Sequence, residues 1–103
     1  MSLSLVSLTL ETFTPHLGSA FVIHLADGTL LTLSLVDIKP LGQGPAGGRT
    51  PFALHFQHPL LPRHAYLPQQ IYPLEHATLG LIEIFLVPLG PQPGGMLYEA
   101  IFT

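Results

Sequence analysis

The sequence predicts an all-β fold: a small antiparallel barrel or sandwich of six to seven strands, with a short helical turn near the N-terminus. Three observations predict it. Short segments alternate between apolar and polar residues, Gly- and Pro-containing turns bound those segments, and no long helix is indicated. The chain has 103 residues, which is the size of one domain. We therefore expect residues 1–103 to form a single β domain.

The N-terminal region predicts an extended arm and two short helical turns. Ser and Leu alternate in residues 1–8 until the register shifts at Val6, which is typical of an arm or a short strand. Thr9 is a candidate N-cap, and Thr14 followed by proline repeats the signal before Gly18. Residues 9–17 are therefore predicted to form two helical turns.

The next segments predict a β-hairpin over residues 19–26 and 29–38. Asp27-Gly28 between them is a strong hairpin-turn dipeptide. Alternate residues of each strand are apolar and define the predicted core face: Phe21, Ile23, Leu25, Leu31, Leu33 and Leu35.

A loop is predicted over residues 40–50, because these eleven residues contain four glycines and two prolines. Two further strands follow, over residues 52–57 and 69–74. The first has Phe52, Leu54 and Phe56 on one face. Pro68 precedes the second and Pro73 lies within it, so we expect it to lie at a sheet edge or to be bulged.

The last hairpin is predicted over residues 81–88 and 96–103, around a Gly/Pro-rich break from Pro88 to Gly95. Both faces of residues 81–87 are apolar except at Glu83. A small sandwich buries one face of each sheet, so the surplus must meet another chain or be covered by the N-terminal arm. We expect the arm and the Gly-rich loop to be the contact elements, through strand addition or packing.

The low charge content also favours contact with another chain. Charged residues make up 9% of the chain, against roughly 25% in an average soluble domain, and a surface poor in charge tends to associate. The net charge is −3 with three Lys and Arg residues, which argues against nucleic acid as a partner. We expect no transmembrane segment, because every apolar run is shorter than about 18 residues. There is no signal-peptide pattern and no cysteine, so the cytoplasm is the default compartment, and export without a cleaved signal is equally compatible.

Several motifs resemble a family of small uncharacterised bacterial domains about as long as this chain. They include Thr12 to Gly18 with Phe21, the segment Arg49-Thr50-Pro51-Phe52, residues 67–76 (LPQQIYPLEH), Leu79-Gly80, Ile84-Phe85-Leu86-Val87-Pro88-Leu89-Gly90, and the closing Tyr98-Glu99-Ala100-Ile101-Phe102. Gln70 departs from the pattern, where the family has glycine. The resemblance covers nearly the full chain and implies no activity. It implies that the protein acts together with phage-tail-like proteins. It also marks Tyr72 and Tyr98 as structural residues.

Histidine is frequent, with six in the chain. His55, His58 and His64 are the weak candidates for a metal site, which needs three or four convergent ligands. His55 and His58 converge only if the chain bends at His58, because strand residues three apart face opposite sides. The alternative interpretation is a set of surface histidines that replace charged residues and respond to mild acidification. We predict no bound metal or other cofactor.

The glutamates Glu75, Glu83 and Glu99 are candidates for acid–base work only if they are buried. If they face solvent, they are surface residues. If buried, their partners would be Arg49 and Arg63, and a Glu–Arg contact would tie the last hairpin to the Gly-rich loop.

The sequence contains no nucleophile elbow and no phosphate-binding loop, and we predict that the protein is not an enzyme. The main hypothesis is a structural or adaptor module that self-associates or docks into a larger assembly, extracellular or phage-tail-like. The alternative is a barrel that binds a small ligand near His-rich loops.

Overall fold

The computed structural model describes residues 8–42, 50–58, 67–93 and 95–102. A short helix and a 3₁₀ turn precede six strands: α1 (Leu10–Phe13), the 3₁₀ turn (Thr14–His16), β1 (Ala20–His24), β2 (Leu30–Pro40), β3 (Phe52–His58), β4 (Gln70–His76), β5 (Gly80–Gln92) and β6 (Gly95–Phe102). The strands close into an antiparallel barrel in the order β1-β2-β3-β6-β5-β4. The all-β prediction is confirmed, and of its two architectures the barrel is correct.

The first hairpin forms as the alternation predicts. Phe21 on β1 lies opposite Leu33 on β2, and both are fully buried. At the turn, the Leu25 amide donates to the Thr29 carbonyl at 2.9 Å, and Gly28 has φ +91°. The turn therefore uses a left-handed conformation that glycine adopts without steric cost.

A β-bulge interrupts the pairing of β2 with β3. Residues 30–34 of β2 pair with β1 and residues 34–40 with β3, and the register with β3 shifts between Leu35 and Asp37. The extra residue lets the strand bend around the barrel. Leu35 before the bulge is buried, and Ile38 after it packs against the core, whereas Val36 is exposed.

The break predicted inside the last hairpin, from Pro88 to Gly95, is wrong for most of its length. β5 continues through Pro88 to Gln92, and its register with β6 shifts between Pro88 and Gly90. A bulge accommodates the glycine and prolines that the sequence suggested would end the strand. As a result, β5 pairs with β4 through residues 80–86 and with β6 through residues 87–92.

The edge position predicted for residues 69–74 is also wrong, because β4 lies between β5 and β1. Its pairing with β1 consists of Val22 opposite Glu75 and Ile23 opposite Leu74. Pro73 has a register partner on β5 only, so the missing proline N–H interrupts no ladder with β1. Gln70 begins β4 opposite Leu86, as an ordinary strand residue.

The barrel interior is filled by one cluster of buried side chains, drawn from all six strands, from α1 and from the residue two positions before α1. Its members are Leu8, Phe13, Phe21, Ile23, Leu33, Leu35, Phe52, Leu54, Phe56, Tyr72, Leu74, Ile82, Ile84, Leu86, Tyr98, Ala100 and Phe102. The ring of Phe13 contacts those of Phe21, Phe52 and Phe102 at centroid distances of 5.7–6.5 Å. The helical segment (residues 8–17) is therefore part of the core.

The predicted helical turns are confirmed, and local side-chain bonds explain where they lie. The Thr9 amide donates to Thr12 Oγ1 at 3.0 Å, and Thr14 Oγ1 donates to the Leu10 carbonyl at 2.9 Å. Gly18, with φ +89°, ends the segment, and its amide donates to the Leu35 carbonyl at 2.7 Å. This bond joins the helical segment to β2.

Two predicted contact elements fall largely outside the described residues. Of the arm predicted over residues 1–8, only Leu8 is described, and it is buried. Of the loop predicted over residues 40–50, β2 includes Pro40, and the Leu41 amide donates to the Pro51 carbonyl at 2.8 Å. None of the helices in the described residues is long and apolar enough to cross a membrane.

Candidate functional site

The predicted histidine cluster does not form a metal site in the described part of the chain. His55 and His58 both lie on β3, which pairs with β6 from Phe52 to His58 without a register shift, and residues three apart on a strand face opposite sides. His64 lies outside the described residues. No group of three or more metal-ligating side chains occurs among the residues that the structure describes.

Two of the three predicted glutamates contact histidines on the outside of the barrel. Glu75 Oε1 lies 2.8 Å from His24 Nε2, and Glu99 Oε2 lies 2.9 Å from His55 Nε2. The second pair is the less exposed one, with 12% and 26% side-chain exposure for His55 and Glu99. Each pair becomes a charged one only when its imidazole is protonated.

The third glutamate, Glu83, is exposed on β5 opposite Pro73, so it agrees with the solvated interpretation. The contact predicted between these glutamates and Arg49 or Arg63 lies outside the described residues, because neither arginine is described. The histidine partners of Glu75 and Glu99 were not predicted, since cross-strand pairing is set by register and not by sequence spacing.

The two tyrosines that the resemblance marks hold the segment leading into β4. Tyr98 Oη accepts a bond from the Leu67 amide at 2.8 Å, and Tyr72 Oη donates to the Pro68 carbonyl. Burial raises the pKa of both hydroxyls, and the neighbouring Tyr98 adds to the rise in the pKa of Tyr72. Both therefore remain neutral and serve as hydrogen-bonding groups.

A second cluster was missed by the sequence reasoning and lies where the helical segment meets the turn after β4. His76 is 5% exposed, and its Nε2 lies 2.9 Å from Ser19 Oγ. The amides of Thr78 and Leu79 donate to its Nδ1 at 3.0 and 3.1 Å. The ring of His16 packs edge-on against it, at a centroid distance of 4.5 Å. Ser19 and His76 are 57 residues apart, so no local motif signals the contact.

The donors and acceptors of this cluster form one chain, from the turn amides through His76 and Ser19 to the His16 carbonyl. Nδ1 of His76 accepts two amide protons, so the neutral ring carries its proton on Nε2 and donates it to Ser19 Oγ. The Ser19 hydroxyl in turn donates to the His16 carbonyl at 2.6 Å. A catalytic base must instead accept the serine proton. The Ser19–His76 pair is therefore arranged for holding structure and not for activating a nucleophile.

The outer side of β4 and β5 carries exposed apolar side chains. We call this surface the outer β4–β5 face, formed by Ile71, Pro73, Glu75, Leu81, Glu83 and Phe85. Ile71 lies directly opposite Phe85, and the two are 60% and 48% exposed. Leu81 is 39% exposed and lines a shallow surface groove of about 440 Å³ together with His24, Pro73 and Glu75. The face thus combines large aliphatic and aromatic groups with two carboxylates.

These features define the class: a small closed antiparallel barrel with a filled interior, a helical segment packed into its core and an apolar outer face. The chain belongs to the DUF6916 family, a domain of unknown function, whose model matches residues 8–102. The match extends from the first buried residue of the helical segment to the end of β6. No curated protein and no solved structure matches the chain.

Proposed function

We propose that the protein is a non-enzymatic structural or adaptor module that binds another protein surface through its outer β4–β5 face. The partner is a second copy of the chain or a component of a larger assembly. The observation that carries the proposal is the exposed Ile71–Phe85 pair with Leu81 beside it. Single exposed apolar residues are ordinary in soluble proteins, whereas a contiguous group of large ones is typical of an interaction site.

The composition supports the same proposal. Only 9% of the residues are charged, so few ionic groups are available to keep neighbouring molecules apart. Burying the exposed parts of these side chains is favourable by roughly 25 cal/mol for each Å² of apolar surface removed from water. Docking therefore has a hydrophobic driving force that the isolated barrel does not use.

The closed barrel favours packing of side chains as the mode of docking. Strand addition needs an unpaired sheet edge, and closure removes edge strands. The outer β4–β5 face lies within the paired strands of the barrel. We therefore expect the partner to lie flat against this face.

The alternative, a barrel that binds a small ligand, needs interior space between the strands. Buried aromatic rings occupy that space: the Phe52 and Phe102 rings stack at 4.8 Å, and Phe21 contacts Phe56 at 5.2 Å. The non-enzymatic part of the proposal is supported by the direction of the Ser19–His76 bond. A bacterial origin and an extracellular or phage-tail-like assembly are suggested by the family resemblance alone, and they form the least specific part of the proposal.

The proposal is tested by multi-angle light scattering over a dilution series of the wild-type chain and of an Ile71→Thr/Phe85→Thr variant. We expect the wild type to exceed the 11.1 kDa of one chain at high concentration and the variant to remain monomeric. Threonine keeps the β propensity of the two strand positions while removing most of their apolar surface.

The matched control is Val36→Thr, which removes an exposed apolar group on β2. β2 lies opposite β5 in the strand order of the barrel. This variant should associate like the wild type. A wild-type chain that stays monomeric throughout, with a solubility that the double variant does not change, would contradict self-association through this face.

A further inference from the structure

The His76 cluster connects two parts of the fold that are distant in sequence. Ser19 and His16 follow α1, whereas Thr78 and Leu79 form the turn between β4 and β5. The His76 side chain bonds to both: its Nε2 meets Ser19 Oγ, and its Nδ1 meets the two turn amides. One imidazole thus holds the helical segment against the turn.

We propose that His76 is an acid-sensitive latch: its neutral ring fastens Ser19, just after the helical segment (residues 8–17), to the β4–β5 turn, and its protonation expels the ring and releases the segment. The proposal does not rest on the docking function, since none of the residues that His76 bonds to belongs to the outer β4–β5 face.

The geometry requires the neutral ring. Protonation places a hydrogen on Nδ1, which then faces the Thr78 and Leu79 amide protons. Two accepted bonds are lost, and a buried donor is left against two other donors, which is a costly arrangement. Nε2 carries a proton in both states, so the bond to Ser19 does not offset this loss. The charged ring relieves the contact between donors by leaving its site, which breaks the bond to Ser19 as well.

The surroundings do not stabilise the charged ring. His16 from the 3₁₀ turn is the titratable group that faces it, and a second imidazole only adds repulsion when both are charged. From β1, the ring of Phe21 packs against it at 4.6 Å, and Ser19 accepts its Nε2 proton. The turn presents backbone amides. In the described part of the chain, no carboxylate forms an ion pair with His16 or His76.

Burial lowers the pKa of His76 below the ordinary histidine value, and His16 lowers it further. The unfolded or released chain therefore binds the proton more tightly than the latched one. The latch is fully closed above about pH 6.5, the ordinary histidine value. It weakens by at most about tenfold per pH unit as the pH falls from there to the lowered pKa. Below the lowered pKa no further weakening follows, because both states are protonated.

Amide hydrogen exchange of the wild-type chain, followed by NMR between about pH 7.5 and about pH 5, tests the release. After correction for intrinsic exchange, we expect acidification to increase the opening of the Thr12 and Gly18 amides, by at most about tenfold for each pH unit below about 6.5. These amides donate to the carbonyls of Thr9 and Leu35. Amides of β3, which is paired on both sides, should change less. Equal changes in both elements, or no change in either, would overturn the proposal.

The matched variants are His76→Asn and His24→Asn. In the His76→Asn variant, the side-chain oxygen of the new asparagine occupies the position of Nδ1 and accepts from the turn amides without titrating, so we expect opening that does not vary with pH. The exposed His24 is the control, and its variant should behave like the wild type. Two parallel pH profiles for the His76→Asn variant and the wild type would contradict the latch.

A measurement on the wild type alone keeps the test valid if the variant does not fold. Two-bond ¹H–¹⁵N correlation spectra distinguish the two neutral tautomers of an imidazole. At about pH 7.5 we expect His76 to carry its proton on Nε2. A proton on Nδ1 would remove the basis of the proposal.

Discussion

Replacing Phe13 with alanine tests whether the helical segment is part of the hydrophobic core. Phe13 is fully buried and is supplied by a helix of only four residues. Such a short helix has no stability of its own. Its ring contacts those of Phe21, Phe52 and Phe102, which come from β1, β3 and β6. The substitution therefore removes a side chain that three strands share.

The expected loss of unfolding free energy is about 3–5 kcal/mol, the range measured for truncating a buried phenylalanine. The three ring contacts favour the upper part of this range, because each aromatic pair adds roughly 0.5–1.5 kcal/mol beyond the area that it buries. The total stability of a domain is about 5–15 kcal/mol. The variant should accordingly be close to the limit of folding.

The assay is urea unfolding followed by far-ultraviolet circular dichroism, since the chain contains no tryptophan. With a slope of about 1–3 kcal/mol per molar urea, the midpoint should fall by roughly 2 M. Leu17→Ala is the control in the same segment: Leu17 is 56% exposed, and its loss should change stability by less than about 0.5 kcal/mol. A loss below about 1 kcal/mol for Phe13→Ala would refute the reasoning, because the segment would then be attached to the barrel and not built into it.

Two further predictions concern the turns and connections of the barrel, and both are checked by the same urea titration. Gly28→Ala should cost about 1–2 kcal/mol: the φ of +91° is strained for alanine, whereas a Cβ at this position meets no atom within 4 Å. Gly28→Asn should cost less, and equal losses for the two variants would contradict a purely conformational cause. Tyr98→Phe should cost about 1–3 kcal/mol, because the Leu67 amide loses the hydroxyl that accepts its proton. A loss below about 0.5 kcal/mol would show that water replaces the hydroxyl.

The strands and their buried faces could be predicted because they depend on local pattern. Alternation identified the core residues of β1, β2 and β3, such as Phe21, Leu33 and Phe56, all of which are fully buried. The period of two in side-chain direction is a property of extended backbone and needs no knowledge of neighbouring strands. The same period places Glu83 on one face with Leu81 and Phe85, and that face is exposed.

Proline and glycine led to wrong predictions of a strand end and a sheet edge, because tertiary pairing determines both. Pro88 and Gly90 were expected to end a strand, yet a register shift between them lets β5 continue. Pro73 was expected to mark an edge, yet β4 has neighbours on both sides. A strand tolerates proline where a bulge or a short ladder leaves no acceptor that needs the missing N–H. It tolerates glycine where a bulge uses its conformational freedom.

By itself, the sequence determined the class of fold, the inward faces of the strands and the shortage of charge that favours association. These follow from side-chain chemistry and from the repeat of the extended chain. Only the tertiary structure decided that the sheet closes into a barrel, that Ile71 meets Phe85 on the outside, and that His76 contacts Ser19. Those contacts join residues that are far apart in sequence, and strand register, which no local pattern encodes, determines which of them meet.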